Sequence, residues 1–196
     1  ERAPMEFALP VSGEEARQAA KGAVSLKRAW LRERGLISPA IADNRLATFL
    51  ADAVSSERHP TGARVSVLRS GSETASVEIG FAAKGRLALH LIVYNLKFEK
   101  SGAGVVHLED TVRRAHAAGV STLDLLAPRA DYKMEWADGT VTVADYTLPV
   151  TMIGRIYGAV YLGFLRERIK AALEHLPLSV RKLAAGIVAM WHTPPL

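Results

Sequence analysis

Residues 87–94, Leu-Ala-Leu-His-Leu-Ile-Val-Tyr, constrain this chain more than any other stretch. Eight nearly unbroken apolar residues are too few for a buried helix. They are too apolar for a half-exposed strand, so they predict a strand covered on both faces. Two alternating runs precede it: Val65 and Val67 about Ser66, then Val77, Ile79 and Phe81 against Glu78. Turns at Gly71–Glu73 and Lys84-Gly85 join them into an antiparallel meander that feeds the central strand.

A crossover leads away from that strand. Lys100-Ser-Gly-Ala-Gly104 opens a helix with Val105, Leu108, Val112 and Ala115 on one face, and Gly119 closes it. Val120–Leu126 reads as a short buried strand, parallel to the first by the usual right-handed connection. Asp138-Gly139 is a turn, and 140–148 reads as a last strand ended by Pro149. Upstream, Ser12 and Glu15 form a capping box for a helix reaching about Arg34, with Ala20, Val24, Lys27 and Leu31 along one face and Gly35 as its stop. A second helix begins near Asp43 with Leu46, Phe49, Leu50, Ala53 and Val54 as its stripe. A long helix over 151–173 presents Ile153, Ile156, Tyr157, Val160, Tyr161, Phe164 and Leu165. A final helix capped by Ser179 presents Val180, Leu183, Ala184, Ile187, Val188 and Trp191. The order predicts an α+β fold: a mixed β-sheet with flanking helices over 1–150, and a C-terminal two-helix extension over 151–196.

Composition narrows the function classes. With 49% hydrophobic and 23% charged residues the chain is no disordered segment, and no apolar run reaches the length of a membrane span. Without cysteine there is no disulfide, thiolate ligand or cysteine nucleophile. The six histidines lack the short spacings of a metal site, so none is expected. The net charge is +5, and 151–196 holds six basic and two acidic residues, so most of the excess lies there. That is little for a nucleic-acid binder. It leaves two readings for the extension, packing on a protein surface or lying on an anionic membrane, and its wide stripes favour packing.

Gly102-Ala103-Gly104, between a buried strand and a helix, is the pattern of a phosphate cradle. Bare backbone N–H groups and the helix dipole meet there, and Lys100 adds charge, although glycines that merely turn the chain read the same way.

In order along the chain stand Gly85-Arg86, Val93-Tyr94-Asn95, Ser101-Gly-Ala-Gly104, Leu123-Asp124-Leu125-Leu126 and Asp131-Tyr132-Lys133-Met134-Glu135-Trp136. This set resembles the GNAT-superfamily acyltransferase domain of cellulose- and exopolysaccharide-biosynthesis proteins (the CelD/BcsL-like group), related to Fem-type peptidyltransferases. The likeness covers about 63–150 and, more weakly, 27–54. It implies a GNAT-like fold and transfer from acyl-CoA, such as acetyl-CoA, whose pyrophosphate would lie against Ser101, Gly102, Ala103, Gly104, Val105 and Val106. The chain departs from the pattern in three places: Glu99 stands where the superfamily's loop carries Arg or Gln, Asn95 where the group has Asp, and Gly102-Ala103 where it has Ser-Pro. Proteins of this group commonly carry another half-domain first, so the resemblance implies that a chain beginning at Glu1 is a C-terminal half that meets such a partner or a second copy of itself.

The expected chemistry needs a group for the thioester carbonyl or leaving thiolate and one for a proton. Tyr94, Asp124 and Lys133 are the catalytic candidates. Tyr94 could equally anchor the sheet end, and Asp124 could equally form an ion pair with Arg86 or Lys133. Lys133 is also the choice for gripping a phosphate or acidic acceptor. His90, Tyr132 and Trp136 are substrate-binding candidates, with His90 read foremost as a hydrogen-bonded core histidine. The expected acceptor is a small molecule or saccharide of bacterial polysaccharide or cell-envelope metabolism, and the expected location is cytoplasmic, with the inner membrane face open to the extension. A non-catalytic assembly module and a Fem-type transferase using charged tRNA are the competing readings.

Overall fold

The computed structural model describes residues 3–9, 13–56, 61–144 and 146–183. Its sheet has five strands in the order β1 (Met5–Ala8), β2 (Gly62–Ser70), β3 (Glu73–Ala83), β4 (Arg86–Tyr94) and β5 (Thr122–Asp124). The first four run antiparallel, and β5 joins β4 parallel. Two helices, α1 (Gly13–Glu33) and α3 (Asn44–Ser55), pack on one face, and α4 (Ala103–Ala117) covers the other. A short α2 (Pro39–Ala42) links the first two. The capping serine Ser12 and the stripe from Ala184 to Trp191 lie outside the described residues.

The meander forms as the alternation implies. Val65, Val67, Val77 and Ile79 meet Ala16, Ala20, Ala23 and Val24 of α1 and Leu50, Ala51 and Val54 of α3 in the larger core. Each large side chain so buried contributes about 1.5–3 kcal/mol. Alanines along α1 let the helix lie close to the sheet. Asp43 caps α3 by accepting the Arg45 N–H at 2.8 Å.

β4 departs from the expectation. It is not uniformly buried: Leu87, Leu89, Leu91 and Val93 are buried, while His90 is exposed. The cause is a β-bulge. Ile79 pairs with Leu91 and Gly80 with Leu89, so His90 has no partner on β3. The extra residue changes which face the later side chains reach. Leu87 and Leu89 join the core under α4, whereas Leu91 and Val93 join the core under α1 and α3. His90 is therefore no core histidine. Its ring stands edge-on to Phe81 at 5.8 Å, and Phe81 stacks on Phe49 at 6.4 Å. Gly80 opposite the bulge sits in a tight place: a Cβ there would lie 2.9 Å from Leu87 Cδ1 and 3.1 Å from the Ala88 carbonyl oxygen.

Three further expectations are corrected. The strand over 120–126 shrinks to Thr122–Asp124, and a short helix, α5 (Asp131–Trp136), comes after it. The strand over 140–148 does not form among the described residues, and Val141, Val143, Tyr146 and Leu148 are exposed. A strand pattern is realised only beside an edge long enough to pair with, and three residues of β5 offer little. The segment 152–175 is helical as expected, in three parts: α6 (Met152–Ile156), a π-helical stretch Tyr157–Leu165 and α7 (Arg166–His175). Its apolar side chains, Ile153, Ile156, Val160 and Phe164 among them, are exposed rather than packed on the domain. The next helical segment does dock. Over 178–183 it returns to the end of α1, where Arg181 donates to the Gly35 carbonyl and Lys182 pairs with Glu33 at 2.7 Å. No helix among the described residues is long and apolar enough to cross a membrane.

Candidate active site

β4 and β5 pair only through Arg86–Thr122, Leu87–Leu123 and Ala88–Asp124. Past Ala88 no described strand covers the outer edge of β4. Register makes the consequence specific. Leu91 and Val93 face Ile79 and Val77, and the Asn95 N–H reaches the Ala75 carbonyl at 2.8 Å. The backbone groups of Ile92 and Tyr94 therefore point away from β3, into the opening that β5 leaves.

At the top of this opening the chain leaves β4 through a 3₁₀ turn, Leu96–Ser101. Asn95 caps it by accepting the Lys97 N–H at 3.1 Å and donates its own amide to the Thr74 carbonyl at 3.3 Å. An aspartate in that place could cap but not donate. Gly102 is left-handed (φ 64°), and α4 begins at Ala103, so the loop is shorter than the sequence suggests. The Val105 and Val106 amides already bond the Gly102 carbonyl at 2.9 and 3.0 Å, which leaves the Ala103 and Gly104 amides at the positive end of the helix dipole. Ser101, Val105 and Val106 are exposed at this turn, while Ala103 is buried. Gly104 lies against Tyr94, and a Cβ there would stand 3.1 Å from Tyr94 Cδ1.

Tyr94 is held at both sides of its hydroxyl. It accepts from Arg34 Nη2 at 3.0 Å and donates to Glu99 Oε1 at 3.0 Å, and Arg34 also pairs with Glu99. The glutamate that replaces the loop's basic residue is thus answered by an arginine from the end of α1, which stacks on Trp30 at 4.2 Å. Nearer the start of the same helix, Lys27 lies over the same ring at 4.5 Å and its Nζ reaches the Ile92 carbonyl at 3.4 Å. Burial first, then the charges of Lys133 and Arg34, lower its pKa.

The other wall is the end of β5. Asp124 accepts the Leu126 N–H at 2.8 Å and pairs with Arg86 across the strands. The Leu126 bond, then Arg86, holds its carboxyl below the ordinary value against some burial. Lys133 and Tyr132 sit on α5, not in a loop. Lys133 Nζ donates to the Leu126 and Pro128 carbonyls at 2.9 and 3.0 Å, bracing the turn, and burial lowers its pKa. Tyr132 is half-exposed with its pKa raised by burial and then by Glu78. Trp136 packs with Val120, Leu123 and Leu125 against the core beneath α4.

The candidates thus form two groups: Tyr94 with the glycine loop at one wall, and Asp124, Lys133 and Tyr132 at the other. His90 stands on the bulge between β3 and the opening, and Trp136 lies in the packing below. Sequence reasoning missed Lys27 and Arg34. A lysine on an otherwise apolar helix stripe was the visible signal for Lys27. It also missed a buried polar layer under α4. Ser66 and Glu78 are opposite on β2 and β3, and His107 and Thr111 meet them from α4. Thr111 donates to Glu78 Oε2 at 2.6 Å, and His107 Nε2 lies 3.0 Å from Ser66 Oγ, while Glu78 Oε1 and His107 Nδ1 lack protein partners. Burial pushes the Glu78 carboxyl up to about 7 and the His107 imidazole down to about 3. No group of three or more metal-ligating side chains gathers among the described residues.

A sheet opened beside its central strand, with a glycine-marked helix start at the top of the opening, defines a protein that can lay an extended anionic donor along a strand edge. Residues 1–134 match the acetyltransferase (GNAT) domain, and the chain belongs to that family, whose members transfer an acyl group from acetyl-CoA. The open edge at Ile92 and Tyr94, with the Ala103 and Gly104 amides above it, fits such a donor. Among solved structures, an aminoglycoside acetyltransferase from an uncultured soil metagenomic sample shares the fold. In complex with sisomicin it superposes with TM-score 0.53 at 12% identity, over 74% of this chain and 96% of that one. In complex with trehalose it gives 0.51 at 13%, over 74% and 96%. The ribosomal-protein-alanine N-acetyltransferase of Brucella melitensis biovar Abortus 2308 gives 0.48 at 15%, over 73% and 99%. No curated protein matches the chain.

Proposed function

We propose that this chain moves an acyl group from acyl-CoA to an amine or hydroxyl of a saccharide acceptor in bacterial polysaccharide or cell-envelope metabolism. The observation that carries the reading is the free edge of β4 leading onto Gly102–Gly104. Amide groups of the donor's arm pair with the outward groups of Ile92 and Tyr94, as an added strand would. Its pyrophosphate meets the Ala103 and Gly104 amides at the start of α4, within the stretch Ser101–Val106. The acceptor nitrogen or oxygen attacks the thioester carbon. The new bond forms, the C–S bond breaks, sulfur leaves as thiolate and gains a proton, and the acceptor loses one. In this reading Tyr94 supplies the proton to sulfur, and its bonds to Arg34 and Glu99 orient the hydroxyl. Asp124 and Lys133 keep β5 and its turn open opposite. The sisomicin and trehalose complexes of the aminoglycoside enzyme support a sugar-like acceptor for a cleft of this fold. The exposed apolar side chains of 152–165, with Arg155, Arg166 and Arg168 beside them, support a place at the cytoplasmic face of an anionic membrane, with a partner half-domain or second copy as the competing cover.

Calorimetry with acetyl-CoA tests the reading. The native chain binds, and Gly104→Val, whose side chain meets the Tyr94 ring, loses at least tenfold in affinity with unchanged circular dichroism. Equal binding by both, or none by the native chain, overturns it.

A further inference from the structure

Lys27 and Lys133 reach the same opening from opposite walls. Lys27 comes from α1 and touches the outward Ile92 carbonyl of β4, and Lys133 comes from α5 and closes the turn after β5. They are near enough for the charge of Lys133 to act on Lys27. The carboxylates around them are already engaged. Glu99 is held by Arg34 and Tyr94, and Asp124 by Arg86 and the Leu126 amide. Neither lysine forms a direct ion pair among the described residues: Lys27 bonds the Ile92 carbonyl and lies over Trp30, and Lys133 bonds two carbonyls and feels the charge of Asp124 without touching it. An ammonium half-buried on the sheet side of a helix costs free energy unless an anion answers it. Lys27 follows the buried Ala20, Ala23 and Val24 on the sheet side of α1 and is itself half-buried.

We propose that Lys27, with Lys133 opposite, binds an anionic group of the acceptor, a carboxylate or a phosphate carried on the sugar, and that the protein thereby selects acidic over neutral acceptors. The inference rests on the acyltransferase reading for the role of the bound molecule, but not for its binding. The open edge of β4 admits the acceptor beside the donor. The Lys27 ammonium, held by one long bond to a carbonyl and by the face of Trp30, turns to the anion. Lys133, held by two carbonyls, supplies charge from a fixed place. Selection arises because a neutral sugar leaves both ammoniums as they are.

Calorimetric titration of the whole chain with three amino sugars tests this. Glucosamine 6-phosphate carries a phosphate, muramic acid a carboxylate, and glucosamine neither. At least one acidic sugar binds about tenfold more tightly than glucosamine, as one charge-assisted bond to a half-buried ammonium provides. Which of the two gains tells phosphate from carboxylate. Lys27→Gln removes the difference and Lys27→Arg keeps most of it, both with thermal unfolding near that of the native chain. Equal binding of all three, no binding of any, or a preference that survives Lys27→Gln overturns the inference. A chain that passes this test and fails to bind acetyl-CoA would sink the acyltransferase reading alone.

Discussion

Replacing Glu78 with glutamine probes the polar layer that seats α4, and therefore the helix start beside Tyr94. Glu78 is 1% exposed, and burial raises its pKa to about 7 from an ordinary 4.5 while the Thr111 bond opposes the rise. Between those values the folded chain keeps a proton that the unfolded chain has lost, so stability falls as pH rises through the window. At about 1.4 kcal/mol per pH unit the whole window amounts to about 3 kcal/mol. His107 acts with the opposite sign. Its folded value of about 3 lies below the ordinary 6.5, so the folded chain binds fewer protons and stability rises with pH until 6.5 is passed. From pH 4.5 to 6.5 the two slopes oppose each other in the native protein. Glu78→Gln leaves the His107 slope alone, about 1.4 kcal/mol per unit over that range. Guanidinium unfolding of both proteins from about pH 4.5 to 7.5 reads the effect. The glutamine variant gains about 3 kcal/mol on the native chain across that span, whatever fixed offset its amide introduces. A difference between the two that stays constant to within about 0.5 kcal/mol would refute the account, because Glu78 would then titrate alike folded and unfolded.

Two further perturbations bear on the site. Tyr94→Phe removes the hydroxyl that joins Arg34 to Glu99; kcat for acetyl transfer falls by about 10²-fold with little change in KM for acetyl-CoA, and an unchanged kcat measured by thiol release would remove Tyr94 as proton donor. Gly80→Ala pushes a methyl against the Ala88 carbonyl at the bulge and costs about 1–3 kcal/mol in chemical denaturation; a neutral result would mean that the bulge yields without strain.

The meander and the crossover were legible because alternation and glycine turns are local signals. Val65, Val67, Val77 and Ile79 reach one core on every second residue, and Gly71 and Gly85 adopt positive φ where the turns were expected. The same logic hid three features. β1 is four residues close behind Pro4, too short for alternation to register. Glu78 looked like the solvent side of a two-faced strand, because nothing local tells that α4 will cover that face. The bulge at His90 is silent, since in a run where both faces are apolar one inserted residue changes the parity without changing the pattern.

The site was legible to the extent that it is backbone. The glycine spacing and the strand end at Tyr94 reflect what a close approach to a helix start demands. Its charges were not, because Arg34 meets Glu99 across 65 residues and Lys27 meets Ile92 across the same separation. Such pairs exist only after the helix lies on the sheet. Yet the sequence marks one of them. Lys27 continues the stripe of Ala20, Ala23 and Val24, where an apolar side chain is the ordinary choice. Its ammonium lies at the opening between β4 and β5, against the Ile92 carbonyl and the Trp30 ring. This is why the Lys27 variants, rather than those of the exposed Lys100, carry the test of what the cleft receives.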